Sequence, residues 1–260
     1  MAIATSSPMM RPEVFEGRGA FAAGGMRSSA MTVSGTINAT AILLSLCLAS
    51  AIGSWVLVKA TPTLMVPIWL GGMVVGLICA LVSFFKPQTS PYVGPVYAVA
   101  KGAFVGAISL FYAAEAVNTK LGGATGANIV TSAAIATFAI LGVMLGLYKV
   151  GAIRAGEKFK AIMLVCGCAI GLYGIVVLGM FLFGVAPSFL FSGPIAIAIT
   201  AAILVYASFC LILDFDFIEQ GAASGAPKYM EWYGGIALLA TLVWIYLQVL
   251  RLLSLLNKRD

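Results

Sequence analysis

The residues from Leu211 to Gln220 have the sequence Leu-Ile-Leu-Asp-Phe-Asp-Phe-Ile-Glu-Gln and end a long apolar run that begins near Phe189. Asp214 and Asp216 therefore lie where the chain is still apolar on both sides. A carboxylate at membrane depth is costly, and such residues usually mark a functional site. We therefore expect the other apolar segments to pack around this acidic stretch.

The composition of the chain excludes a water-soluble domain. Of its 260 residues, 62% are hydrophobic and 9% are charged, whereas soluble domains carry roughly 25% charged residues. This small number of charged side chains cannot cover a surface that faces water. The chain is therefore predicted to be an integral membrane protein. Its net charge of +6 comes from scattered Lys and Arg at segment ends, which set topology and contact lipid headgroups rather than nucleic acid.

Seven apolar runs each approach the ~20 residues that cross a bilayer as a helix. We predict an all-α, polytopic fold with seven transmembrane helices over residues 31–260, preceded by a disordered polar tail over residues 1–30. The predicted spans are Ala39 to Val58, Leu64 to Phe85, Tyr92 to Val117, Ile129 to Tyr148, Ile162 to Phe183, Phe189 to Leu213, and Tyr233 to Leu256.

Small residues recur at four-residue spacing inside several spans, and this pattern lets helices approach closely in lipid. Packing within one bundle is the favoured interpretation, and dimerisation is the alternative. The pairs are Gly72 and Gly76, Gly102 and Gly106, Gly142 and Gly146, and Gly167 and Gly171.

The residues that usually carry catalysis are missing from the sequence. The chain has no histidine and five cysteines, and the cysteines all fall inside apolar runs, where packing is their expected role. Neither a His-Glu-x-x-His, nor a Gly-x-Ser-x-Gly, nor a phosphate-binding loop occurs. We therefore predict that the protein is not an enzyme and uses neither a cofactor nor a metal site.

The predicted spans contain few ionisable side chains. Asp214 and Asp216 are separated by about 200° around a helix, so we predict that Asp214 faces the bundle and Asp216 the loop or headgroups. The alternative places both at the water boundary. Gln248 and Arg251 share one face of the last span, which is therefore predicted to be buried. Lys101 lies well inside the third span and needs a partner.

Four stretches resemble bacterial Bax-inhibitor-type membrane proteins, the transmembrane Bax-inhibitor-motif family. The resemblance implies a seven-helix fold whose last helix is wrapped by the other six, and a role as a pH-sensitive calcium leak channel in the inner membrane. The stretches are Leu211 to Gly221, Leu242-Val-Trp-Ile-Tyr-Leu-Gln-Val-Leu-Arg-Leu-Leu253, Met31-Thr-Val-Ser-Gly-Thr-Ile-Asn38, and Tyr97 to Ser109.

The resemblance also implies a proton-sensitive latch between an acid on the sixth helix and an acid on the seventh. Asp214 matches the first position, but Gln248 occupies the second, and Lys101 lies where many relatives have Glu. We predict that an Asp214–Lys101 ion pair, with Gln248 hydrogen-bonding nearby, replaces the acid pair. Such a latch would stay closed through neutral pH and loosen only when acid protonates Asp214.

The distribution of Lys and Arg predicts a cytoplasmic N-terminus and a C-terminus outside. The expected partners are the lipid bilayer and calcium or other cations. Two alternatives to a channel are a non-conducting regulator that binds another membrane protein, and a secondary transporter. Cation flux through the purified protein separates these three hypotheses.

Overall fold

The computed structural model describes residues 30–118, 126–153, 155–184 and 193–257. The predicted N-terminal tail, apart from Ala30, lies outside these residues. Within them the chain is helical, as predicted, and its β-type pairing is one isolated bridge between Ala30 and Pro227. The helices are α1 (Val33–Ala60), α2 (Met65–Phe85), α3 (Ser90–Asn118), α4 (Gly126–Val150), α5 (Glu157–Leu182), α6 (Gly193–Ala223) and α7 (Met230–Asn257).

All seven helices are long and apolar enough to cross a membrane. The shortest, α2, has 21 residues, which at about 1.5 Å per residue spans the ~30 Å hydrocarbon core of a bilayer. Large apolar side chains cover the outer surface of the bundle, for example Ile52 (66% exposed) and Val165 (69% exposed). The predicted polytopic membrane fold is therefore confirmed.

Two helices extend well beyond the predicted apolar runs. Thr32 caps the start of α1 by accepting a hydrogen bond at its Oγ1 from the backbone N–H of Gly35 (3.0 Å), so α1 begins six residues before Ala39. Helix α6 continues to Ala223, past the predicted end at Leu213. The whole acidic stretch therefore belongs to a helix, and the positions of its carboxylates follow helical geometry.

The last helix, α7, is the centre of the bundle. Among its 28 residues Leu256 alone is exposed, thirteen are buried and the other fourteen are partly buried, which agrees with the prediction that this span lies among the others. Helix α7 packs against α1, α3, α4 and α6, whereas α2 packs chiefly on α3, and α5 packs on α6. Four helices thus surround α7, and the expectation that all six wrap it is not confirmed.

Glycine spacing explains how closely α3 approaches α1. A Cβ atom at Gly102 would overlap the carbonyl oxygen of Cys47, and one at Gly106 would overlap that of Ala51. Across the same contact Ser50 donates a hydrogen bond to the carbonyl of Val99 (2.7 Å). The packing interpretation of this glycine pair is therefore confirmed.

The other glycine pairs behave differently from one another. A Cβ atom at Gly72 of α2 would lie 2.6 Å from the carbonyl oxygen of Ala100, so this glycine also permits close packing. A Cβ atom added at Gly142 or Gly146 of α4 would meet no atom within 4 Å. The packing interpretation is wrong for Gly142 and Gly146, because the face of α4 that carries them is turned away from the bundle.

Candidate functional site

Asp214 lies inside α6 and faces the central helix. It precedes the end of α6 by nine residues, which places it about 14 Å from that end. The Oγ1 hydroxyl of Thr241 on α7 donates a hydrogen bond to its carboxylate (2.7 Å). Asp214 therefore points toward α7, as predicted.

Asp216 faces a different neighbour. Its carboxylate forms an ion pair with the amine of Lys160 on α5 (2.7 Å) and accepts a hydrogen bond from the side-chain amide of Gln220 (2.6 Å). The side chains of Lys160 and Asp216 are 38% and 18% exposed. This partly exposed pair connects α6 to α5.

Glu219 contacts a third helix, because its carboxylate accepts a hydrogen bond from the hydroxyl of Tyr148 on α4. Residues 216 and 219 are separated by about 60° around α6, so they reach the adjacent helices α5 and α4. We call Asp214, Asp216 and Glu219 the acidic end of α6. Each of its carboxylates binds a different neighbouring helix.

These contacts all lie on one side of the bundle. Because successive spanning helices alternate in direction, α4 ends, α5 and α7 begin, and α6 ends on the side where α1 begins. Glu231 in the first turn of α7 lies on the same side and is 6% exposed. Its carboxylate accepts hydrogen bonds from the backbone N–H (3.0 Å) and the hydroxyl (2.9 Å) of Thr32.

The predicted ion pair between Lys101 and Asp214 is not formed, so this prediction is wrong. The Lys101 amine lies 5.7 Å from the ring centroids of both Tyr97 and Phe104 on its own helix. The carbon chain of Lys101 passes Gly76 of α2, where a Cβ atom would lie 3.2 Å from it. Lys101 is therefore directed toward α2, and its ammonium is positioned for cation–π contacts.

The direction of the side chains, rather than their depth, explains the error. Lys101 follows the start of α3 by eleven residues and so lies at about 16 Å depth, close to that of Asp214. However, Asp214 faces α7, and Lys101 faces α2 on the far side of α3. The latch that depended on this ion pair is therefore absent, and any response to acid at Asp214 involves Thr241 instead.

Gln248 and Arg251 lie farther along α7 than Thr241, the partner of Asp214. Gln248 follows Thr241 by two helical turns on the same face, about 10 Å away, so it is not beside Asp214 as predicted. Its Oε1 atom is buried and has no hydrogen-bond partner among the described residues. Arg251, near the other end of α7, lies within electrostatic range of Tyr112 on α3.

Sequence reasoning missed the partners of the acidic residues. Thr241 is an ordinary threonine inside an apolar run, and Lys160 and Glu231 fall outside the predicted spans. One pattern was available in the sequence: Asp214, Asp216 and Glu219 have helical spacing that directs them to three faces. Among the described residues, no three Cys, Asp or Glu side chains lie together as metal ligands would. A cation would therefore meet Asp214 as a single carboxylate.

The different surroundings of the two aspartates predict different accessibility. With the native cysteines replaced, a cysteine at position 216 should react with a water-soluble thiol reagent faster than one at position 214. The reason is that Asp216 contacts a partly exposed lysine, whereas Asp214 faces α7. A cysteine at exposed Gln220 provides the positive control, and equal or reversed rates at 214 and 216 would contradict the assignment.

The fold and the acidic end define a polytopic membrane protein built around a central last helix. A family model described as "Bax inhibitor 1 like" matches residues 7–258, and the chain belongs to this family. Searches of curated proteins and of solved structures found no match.

Proposed function

We propose that the protein is a cation leak channel, or a regulator of membrane ion balance, in which Asp214 is the central carboxylate of the pathway. The observation that carries the proposal is the environment of Asp214. Among the described residues its partner is the neutral hydroxyl of Thr241, rather than a lysine or arginine. An uncompensated acid at membrane depth is costly and is typical of ion and proton pathways.

A second polar atom on α7 supports the same pathway. Within the described part of the chain the buried Oε1 of Gln248 lacks a hydrogen-bond partner, and Gln248 lies about 10 Å beyond Thr241 on the same face of α7. Oxygen atoms of carboxylates, amides and hydroxyls are the ligands that calcium prefers. The contact between α6 and α7 therefore offers a cation oxygen ligands at two depths.

The Asp214–Thr241 hydrogen bond is the proposed gate. Thr241 also lies 3.2 Å from the carbonyl oxygen of Ala237, one turn earlier on its own helix, so its proton has an alternative acceptor. Protonation of Asp214 removes the charge that makes it the stronger acceptor. Thr241 can then donate to the carbonyl of Ala237 instead, and the hydrogen bond that joins α7 to α6 is lost. We therefore expect flux to rise on acidification.

Flux in liposomes tests the function. The purified protein is reconstituted with a trapped calcium indicator, and uptake is followed over a range of pH. We expect calcium uptake that increases as the pH falls, and we expect Asp214→Asn to remove this pH dependence because asparagine does not titrate. A monovalent cation indicator in parallel vesicles identifies the ion.

Asp216→Asn is the matched control, because it removes a carboxylate of the same helix that already has a lysine partner. We expect this variant to keep the pH dependence of the wild type. Absence of flux of any cation at every pH would contradict the channel and favour a non-conducting regulator that binds another membrane protein. Flux that requires a second, coupled gradient would favour a secondary transporter.

The orientation of the protein completes the proposal. Lys149, Lys160 and Lys228 lie on the side where α1 begins, and the positive-inside rule directs such a side to the cytoplasm. The acidic end would then face the cytoplasm of a bacterial cell, with the protein in the inner membrane. The proposed activity is transport or its regulation, not catalysis.

A further inference from the structure

A lateral groove in the membrane domain lies away from the acidic end. It has a volume of about 420 Å³, within the range of small-molecule sites. Helices α1 and α4 form its walls, and α3 and α7 form its floor. On its rim Leu48, Ile52 and Phe138 are 46%, 66% and 46% exposed, so the groove opens toward the bilayer.

The groove is long and parallel to the helices. On α1 it runs from Leu44 to Trp55, a rise of about 16 Å, which is close to half of the ~30 Å hydrocarbon thickness. On α4 it runs from Val130 to Phe138. Both segments belong to the half of the membrane opposite the side where α1 begins. The groove therefore matches the depth of one leaflet.

Hydrogen bonding decides the chemistry of the occupant. Ser109 donates to the carbonyl of Val105 (2.6 Å), so Tyr246 must be the donor in its 2.7 Å contact with Ser109. Thr137 donates to the carbonyl of Ala133 (2.8 Å), and Thr131 to that of Asn128 (3.2 Å). Every hydroxyl proton in the lining is thus used within the protein, and the groove favours a hydrocarbon.

The membrane-surface end of the groove has a different character. Trp55 lines that end, and its indole N–H is a remaining donor at the depth where tryptophan meets lipid headgroups. Lys59 follows one helical turn later on the same face and is exposed. A cation at this position complements a phosphate.

We propose that the groove binds one phospholipid of the leaflet opposite the N-terminal side, with an acyl chain between α1 and α4 and its phosphate near Lys59. The membrane itself supplies this ligand, and an apolar cleft that remained unfilled would forfeit its packing contacts. The proposal is independent of cation flux, because the groove does not include Asp214, Thr241 or Gln248.

Photo-crosslinking with a lipid probe tests the site. The protein is reconstituted into vesicles of phosphatidylethanolamine and phosphatidylglycerol that contain a trace of phospholipid with a diazirine on one acyl chain. We expect the labelled peptides to map mainly to the groove segments of α1 and α4. Helix α5, with exposed Leu164 and Val165, reports contact with bulk lipid. Equal labelling of α5 and the groove would overturn the proposal.

Two variants of α4 provide a matched pair. Ala134→Phe places a ring in the groove, whereas Ala139→Phe places one on an exposed position of the same helix outside the groove. We expect the first variant to abolish groove labelling and the second to leave it unchanged. An equal effect of both variants would contradict a discrete site.

Lys59→Gln tests the headgroup contact. Its control is Lys86→Gln, which changes an exposed lysine at the end of α2. The loss of one lysine near lipid phosphate predicts about fivefold weaker retention of phospholipid, measured by native mass spectrometry of the protein released from detergent. Unchanged retention would contradict the placement of the phosphate. A retained mass that corresponds to a neutral polycyclic lipid or to a second copy of the chain would overturn the identity of the occupant.

Discussion

Replacing Gly106 with alanine is expected to lower the free energy of unfolding by about 1–3 kcal/mol, or to prevent folding altogether. The added Cβ atom would overlap the carbonyl oxygen of Ala51 and the hydroxyl of Ser54 on α1. The carbonyl is part of a helical backbone and cannot turn away. The hydroxyl of Ser54 is engaged with the carbonyl of Ala103 (3.1 Å). The two helices would have to separate.

Unfolding of the purified protein by sodium dodecyl sulfate in mixed micelles, followed by tryptophan fluorescence, measures this effect. Gly142→Ala is the control, because a Cβ atom there meets nothing within 4 Å. Alanine is the better helix former by up to about 1 kcal/mol, so this control should be neutral or stabilising. Wild-type stability of Gly106→Ala would show that α1 and α3 are less closely packed than described.

Replacing Glu231 with alanine is expected to lower the free energy of unfolding by about 1–3 kcal/mol, the cost of leaving a buried polar group without its partner. The carboxylate accepts both hydrogen bonds from Thr32. The same segment is held by a hydrogen bond from the backbone N–H of Met31 to the carbonyl of Ala226 (2.7 Å). Loss of Glu231 should therefore loosen the start of α1 from the α6–α7 connection.

Glu231→Gln is the informative comparison, since it keeps an oxygen acceptor and should retain part of the lost stability. Thr32→Ala should cost less in the Glu231→Ala background than in the wild type, because the two residues share one interaction; what remains is the loss of the α1 N-cap to Gly35, about 1 kcal/mol. Limited proteolysis near Met31, which is 2% exposed, should become faster in Glu231→Ala. Full additivity of the two substitutions would show that Glu231 stabilises the protein through other contacts.

Some functional expectations depended on neighbours that the sequence does not identify. The direction of Asp214 toward the bundle could be predicted, because helical periodicity separates it from Asp216. Its partner could not be predicted, since charge and depth both favoured Lys101. The structure pairs Asp214 with a neutral threonine and directs Lys101 to two aromatic rings.

The sequence by itself determined the number and type of the spanning elements. In lipid each backbone N–H and C=O must be satisfied within its own segment, so a long apolar run is sufficient to predict a helix. The sequence also determined that α7 is buried, through the polar residues on one of its faces. These are properties of single segments, and they do not depend on which helix lies next to which.

The tertiary structure alone decided which helices are neighbours and therefore which polar groups meet. The part of α6 that extends past its apolar run is contacted by Lys160 and Tyr148 through its carboxylates, and both partners are distant in the chain. Four helices rather than six surround α7, since α2 and α5 pack on the outside of α3 and α6. Such contacts depend on the rotation and order of whole helices, which the periodicity of one segment does not specify.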